Sequence, residues 1–166
     1  MILKLFFCQL CTFKEIAMSV AENVQNIYSV SLDWDVNYSS ATLRSGDRSP
    51  LMIGPPPEFD GSDTIWSPEH LLISSLASCY TTTFMHFAKL LKTPVKKLHV
   101  DAKVEFEKEG TEPYVAKRYI LLPFIEFTNN PGEHVVESLL AKSDKYCIIS
   151  RAVQGEVIIE PSVRFN

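Results

Sequence analysis

Residues 27–34, Ile-Tyr-Ser-Val-Ser-Leu-Asp-Trp, carry hydrophobic and polar side chains with the two-residue period of a strand. Residues 40–43 and 51–53 predict two further short strands, and Ser45-Gly46-Asp47 between them has turn chemistry. Gly54-Pro55-Pro56-Pro57 excludes helix and central strand, because proline fixes φ and has no N–H. Residues 55–65 therefore read as a loop, with Asp60-Gly61-Ser62-Asp63 as its turn. Ser67-Pro68-Glu69 has the form of a helix start: an N-cap serine, proline in the first helical position, an acid in the first turn. From Leu71 to Leu91 apolar residues cover most of a helix circumference. That predicts a core helix wrapped by other elements, ended by Lys92-Thr93-Pro94.

The second half predicts a long hairpin, a helix and a strand. In residues 98–107, Val100, Ala102, Val104 and Phe106 alternate with Asp101, Lys103, Glu105 and Glu107. Residues 114–127 are the expected hairpin partner, and Asn129-Asn130-Pro131-Gly132 breaks the pattern. Residues 133–143 predict a helix with Val135, Val136, Leu139 and Leu140 on its apolar face. Cys147 follows it, then a last strand over about 155–163. Strands, helix, hairpin, helix, strand favour an α+β domain over a doubly wound parallel sheet.

Composition narrows the partners. The chain has 166 residues, 46% of them hydrophobic, enough for one domain with a substantial core. A net charge of −4 argues against a nucleic-acid partner, which needs a basic face. No run approaches the roughly 20 apolar residues of a membrane helix, so no membrane association is expected. The four cysteines, Cys8, Cys11, Cys79 and Cys147, are too sparse for a disulfide scaffold. Cys8 and Cys11 lie in a leader, residues 1–17, that has a single lysine ahead of its apolar run and no small-residue cleavage site. The reading is an N-terminal extension over residues 1–26, with a natural start at Met18, ahead of a single domain over 27–166. The expected compartment is the cytoplasm.

Cys79 is the chemical candidate. It lies in Ser75-Leu76-Ala77-Ser78-Cys79-Tyr80-Thr81-Thr82-Thr83, within the long predicted helix. A lone buried cysteine is more often a small hydrophobe than a nucleophile. Its company of serines and threonines is unusual for pure packing, and those hydroxyls either bond within the helix or line a pocket. His86 follows seven residues later, about 10 Å along the axis, too far to act as its base. His70, His99 and His134 are scattered, and no close-spaced ligand set for zinc is present. Glu69 precedes Cys79 by ten residues, about 15 Å on an unbroken helix, and reads as a carboxylate favoured by the helix dipole.

Four motifs then fall in a recognisable order. Pro57-Glu58-Phe59-Asp60-Gly61, Trp66-Ser67-Pro68-Glu69-His70-Leu71-Leu72 and Ala77-Ser78-Cys79-Tyr80 are followed by Ala141-Lys142-Ser143-Asp144-Lys145-Tyr146-Cys147-Ile148-Ile149-Ser150. Together they resemble the OsmC/Ohr family of organic-hydroperoxide and osmotic-stress proteins, over roughly residues 28–163. The resemblance implies an OsmC-like α+β fold: antiparallel sheets wrapped around two central helices in an intertwined homodimer. It implies that Cys79 is the peroxidatic thiolate, Cys147 the resolving thiol and Glu69 the acid that orients a catalytic arginine. The implied substrate is an organic hydroperoxide and the reductant an external dithiol, in some relatives of lipoyl type, with no bound metal or prosthetic group.

One part of that pattern is missing. Where the family carries its arginine, before the stretch matching Ala41-Thr42-Leu43, this chain reads Asp35-Val36-Asn37-Tyr38-Ser39-Ser40. Arg44 and Arg48, a little downstream, are the candidate substitutes. Two other readings stay open: a non-enzymatic stress or apolar-ligand-binding protein on the same fold, and a thiol redox sensor.

Overall fold

The computed structural model describes residues 26–166. The 1–26 extension, with Cys8 and Cys11, lies outside the described residues apart from its last residue. Strands β1 (Ser31–Asp35), β2 (Ser40–Arg44) and β3 (Leu51–Ile53) form an antiparallel sheet in sequence order. The strand expected over 27–34 begins at Ser31, because Ser31 pairs with Arg44 and β2 ends there. Leu32 and Trp34 share one face of this sheet with Ala41 and Leu43, as the alternation of a strand requires. That face is uncovered enough to leave Leu32 and Trp34 about half exposed.

The proline loop turns tightly between the sheet and the first helix. A Cβ on Gly61 would lie 1.7 Å from the Pro55 carbonyl oxygen, so only glycine allows the two strands of the loop to cross here. Beyond it, Ile53 bridges to Trp66, and the Gly54 N–H donates to the Trp66 carbonyl at 3.0 Å.

Helix α1 (Pro68–Leu90) starts where Ser67 and Pro68 predict. Ser67 Oγ accepts the His70 N–H at 3.3 Å, and His70 Nδ1 accepts the Ser67 N–H at 3.4 Å. Histidine thus takes the reciprocal place that glutamate usually holds in such a cap. Leu76, Tyr80, Phe84 and Ala88, one per turn, form its buried stripe. Ser78, Thr82, Met85, His86 and Lys89 stay exposed. One chain therefore covers α1 on one side, where the apolar pattern predicted burial all round.

Strands β4 (Val95–Glu107) and β5 (Val115–Phe127) form the expected antiparallel hairpin. Helix α2 (Glu133–Tyr146) follows and packs on α1. The last predicted strand is two, β6 (Glu156–Ile159) and β7 (Ser162–Phe165), both running parallel to β5. The break falls at Glu160-Pro161, because proline brings no N–H to the ladder. The second sheet is thus an antiparallel hairpin extended by parallel strands. Leu76, Tyr80 and Phe84 from α1, Leu121 and Ile125 from β5, and Leu139 from α2 make the core over which the two helices meet.

Candidate active site

Cys79 flanks the buried stripe of α1, where the helix meets the end of α2 and the short 3₁₀ turn Ile149–Arg151. Its thiol is partly buried and free. Burial works against the thiolate, but four donors outweigh it and hold the Cys79 pKa below its ordinary value. They are the Ile149 amide, the Cys147 thiol, the Ile148 amide and the Thr83 hydroxyl. Hydrogen bonds to the charged form favour that form, and no cation is required for the direction of the shift. The two amides come from a turn whose first N–H groups have no partner within it, the usual makings of an anion site.

Cys147 sits one residue past α2, and its N–H donates to the Asp144 carbonyl at 3.3 Å. It is 1% exposed. Burial raises its pKa, the Ser150 amide opposes this, and the neighbouring Cys79 raises it again. The two shifts have one origin. Each thiol acts on the other, and ionisation is favoured at Cys79, the less buried of the two. Ser150 Oγ donates to the Cys147 carbonyl at 2.8 Å and Arg151 Nε to the Lys145 carbonyl at 3.1 Å, which fixes the chain reversal after α2. Tyr80, the next residue on α1, is fully buried and its hydroxyl has no hydrogen-bond partner among the described residues. Burial, with Asp144 and Cys147 nearby, pushes its pKa up to about 12.

The other expected site residues lie elsewhere in the chain. Glu69 sits in the first turn of α1, with one carboxylate oxygen buried and unpartnered among the described residues. It lines a cavity of about 650 Å³ together with Phe59, Ile73, Val104, Phe106 and Tyr114. This cavity opens at the N-terminal end of α1, and none of its walls is a cysteine. We place the chemistry at the thiols, where the reactive groups converge, rather than at the larger void. Arg44 lies 3.7 Å from Asp33, on the polar face of the first sheet. Arg48 donates to the Ser45 carbonyl at 3.2 Å. Neither arginine is among the groups that act on Cys79. The reason is alternation: Arg44 points to the face opposite Trp34 and Ala41, which line a second void shared with Glu69.

His86 lines a shallow recess of about 320 Å³ with Thr82, Thr83, Phe87 and Tyr146. Like the arginines, it is not among the groups that act on Cys79. His99 pairs with Asp101 at 3.2 Å. Among the described residues no three His, Cys, Asp or Glu side chains converge as metal ligands, and no helix is long and apolar enough to cross a membrane.

The family model described as OsmC-like protein matches residues 61–162, which contain both thiols, Glu69 and the turn that supplies the amides. The chain belongs to the OsmC-like family. The uncharacterized protein YmaD of Bacillus subtilis is 25% identical to it over 146 residues, covering 84% of this chain and 95% of that one. An OsmC-like protein of unknown function from Vibrio cholerae superposes with a TM-score of 0.74 at 18% identity, over 82% of this chain and 99% of its own. An organic hydroperoxide resistance protein from Elizabethkingia anophelis superposes with a TM-score of 0.65 at 17% identity, over 86% of this chain and 100% of its own.

This OsmC-like chain contains donors to Cys79 that a reading by residue type overlooks. Amides at Ile148 and Ile149 leave no trace in the sequence, since any residue but proline brings an N–H. Thr83 had a signal, being four residues from Cys79 and so on the same helix face.

Proposed function

We propose that the protein is a cysteine-based peroxidase that reduces organic hydroperoxides to alcohols. The observation that carries this reading is the neighbouring pair of free thiols, one ionised more readily than usual and the other less so. Only the thiolate is strongly nucleophilic, and a redox-active thiolate wants a second thiol within reach. The Cys79 thiolate attacks the terminal oxygen of ROOH, the O–O bond breaks, and RO⁻ leaves to be protonated. Cys79 is then a sulfenic acid. Cys147, as its thiolate, attacks that sulfur and expels hydroxide, which takes up a proton as water. An external dithiol, lipoyl-type among the candidates, reduces the resulting disulfide by exchange. The reducing cytoplasm suits such a cycle.

The bare side of α1 and the open apolar face of the first sheet support a homodimer in which a second copy covers both. In that assembly, Glu69 would orient an arginine, Arg44 or Arg48, brought in by the second copy. Its unpartnered buried oxygen supports this role.

Cumene hydroperoxide and a dithiol provide the direct test. Wild type is expected to consume the hydroperoxide while Cys79 and Cys147 become disulfide-linked, and Cys79→Ser to consume none. No consumption by wild type would overturn the reading. The 650 Å³ cavity, with Phe59, Ile73, Val104 and Phe106 in its walls and no cysteine among them, favours a second reading as an apolar-ligand-binding protein. Retention of an apolar ligand by a Cys79→Ser, Cys147→Ser protein, with no peroxidase activity in wild type, would select it.

A further inference from the structure

Glu69 faces two cavities. The first, of about 650 Å³, has Val104, Phe106 and Tyr114 in its walls, and the second, of about 420 Å³, is lined by Leu32 and Trp34 of the first sheet. Pro56, Phe59 and Glu69 are common to both. Glu69 Oε2 is closed off from solvent and has no hydrogen-bond partner among the described residues. A buried acceptor left without a donor is costly, so a ligand that brings a donor to this oxygen gains more than it would at the surface.

The charges around the larger cavity favour one kind of donor. Two carboxylates, Glu58 and Glu69, stand in its walls. The cations beside them are engaged: Lys103 Nζ lies 3.2 Å from Glu105 Oε1, and Lys108 Nζ 5.3 Å from the centre of the Tyr114 ring. His70 Nδ1 is held by Ser67 in the helix cap. We propose that this cavity binds a primary ammonium carried on an apolar chain, the ammonium donating to Glu69 Oε2 and the chain lying along Phe59, Ile73, Val104 and Phe106. A hydrogen bond between ionised partners is about twice as strong as a neutral one. The faces of Phe59 and Phe106 attract a cation while they cover the chain. An anion would meet two carboxylates instead. The volume falls within the roughly 300–1,000 Å³ of small-molecule sites. The inference rests on the ligand-binding reading above and is independent of the thiol chemistry. An arginine brought to Glu69 by a second copy would compete for the same oxygen.

Octylamine, octanol and octanoate share a chain and differ in their head groups. Their binding to the full chain near neutral pH, where the amine is protonated, is measured by isothermal titration calorimetry. Octylamine is expected to bind about tenfold more tightly than octanol, and octanoate more weakly than either. Glu69→Gln keeps the shape of the side chain and should remove that advantage while leaving octanol unchanged. Phe59→Ala should weaken octylamine and octanol alike. Octanol or octanoate bound as tightly as octylamine, or an advantage that survives Glu69→Gln, would overturn the inference while leaving the ligand-binding reading in place. Affinities untouched by Phe59→Ala would place the chain elsewhere, with the same consequence. No binding of any of the three probes would overturn both. Circular dichroism and retained octanol binding establish that Glu69→Gln is folded.

Discussion

Cys147 neighbours Cys79, and the proximity of the two thiols lowers the pKa of one and raises that of the other. Two cysteines 68 positions apart thus titrate as a coupled pair. The pairing is asymmetric because Cys147 is fully enclosed while Cys79 borders the amides of the turn that follows. Ionisation is therefore favoured at Cys79, the more exposed of the two thiols.

This asymmetry sets the pH profile. Reactivity at Cys79 should rise as pH rises through its folded pKa, because deprotonation creates the nucleophile. With that pKa lowered, the rise should be centred below the free-cysteine value of about 8.5. Cys147→Ala removes one donor and should move the midpoint upward. Iodoacetamide alkylation followed by mass spectrometry across pH measures both. A wild-type midpoint at or above 8.5 would contradict the arrangement.

Removing the resolving thiol should separate two steps. Cys147→Ser is expected to permit one oxidation of Cys79 per chain and to stop there. Turnover with a dithiol of lipoyl type should be lost beyond that first equivalent. A sulfenic acid that reacts with dimedone should accumulate on Cys79. Undiminished disulfide-dependent turnover would show that another group resolves it.

Tyr80 offers a test of packing. Its hydroxyl is buried without a partner among the described residues, and an orphaned polar group costs about 1–3 kcal/mol. Tyr80→Phe should therefore stabilise the fold by about 1 kcal/mol, visible as a thermal midpoint about 2–4 °C higher. A loss of stability would mean that a donor or acceptor meets the hydroxyl after all.

The uncovered sheet predicts assembly. Trp34 is 55% exposed beside Leu32 on a face of apolar residues. Sedimentation of wild type should give twice the chain mass, and Trp34→Glu should shift it toward a single chain, since a buried unpaired carboxylate is costly. A wild-type protein that sediments as one chain at micromolar concentration would refute the dimer.

Much of the fold was legible in local pattern. The cap at Ser67-Pro68, the hairpin over β4 and β5 and the amphipathic stripe of α2 all rest on neighbours in sequence, where periodicity and capping chemistry act directly. The direction of the last strands was not legible. A strand's pattern is the same whether its partner runs with it or against it, and β6 and β7 take their direction from how the chain returns after α2. The setting of the arginines was not legible for a related reason. Proximity in sequence to a motif placed Arg44 and Arg48 as candidates, but strand alternation and local hydrogen bonds direct both elsewhere within the chain.

Cys79 shows the division most clearly. Residue order by itself determined that a cysteine would lie inside a long helix among hydroxyls, and that ordered motifs would link it to Cys147. Only the tertiary structure decided what holds its charge. Amides at the start of a turn, a thiol past the end of a second helix and a threonine one turn away converge on the sulfur because α1 and α2 pack together there. Backbone N–H groups carry no residue identity, so folding alone can aim them.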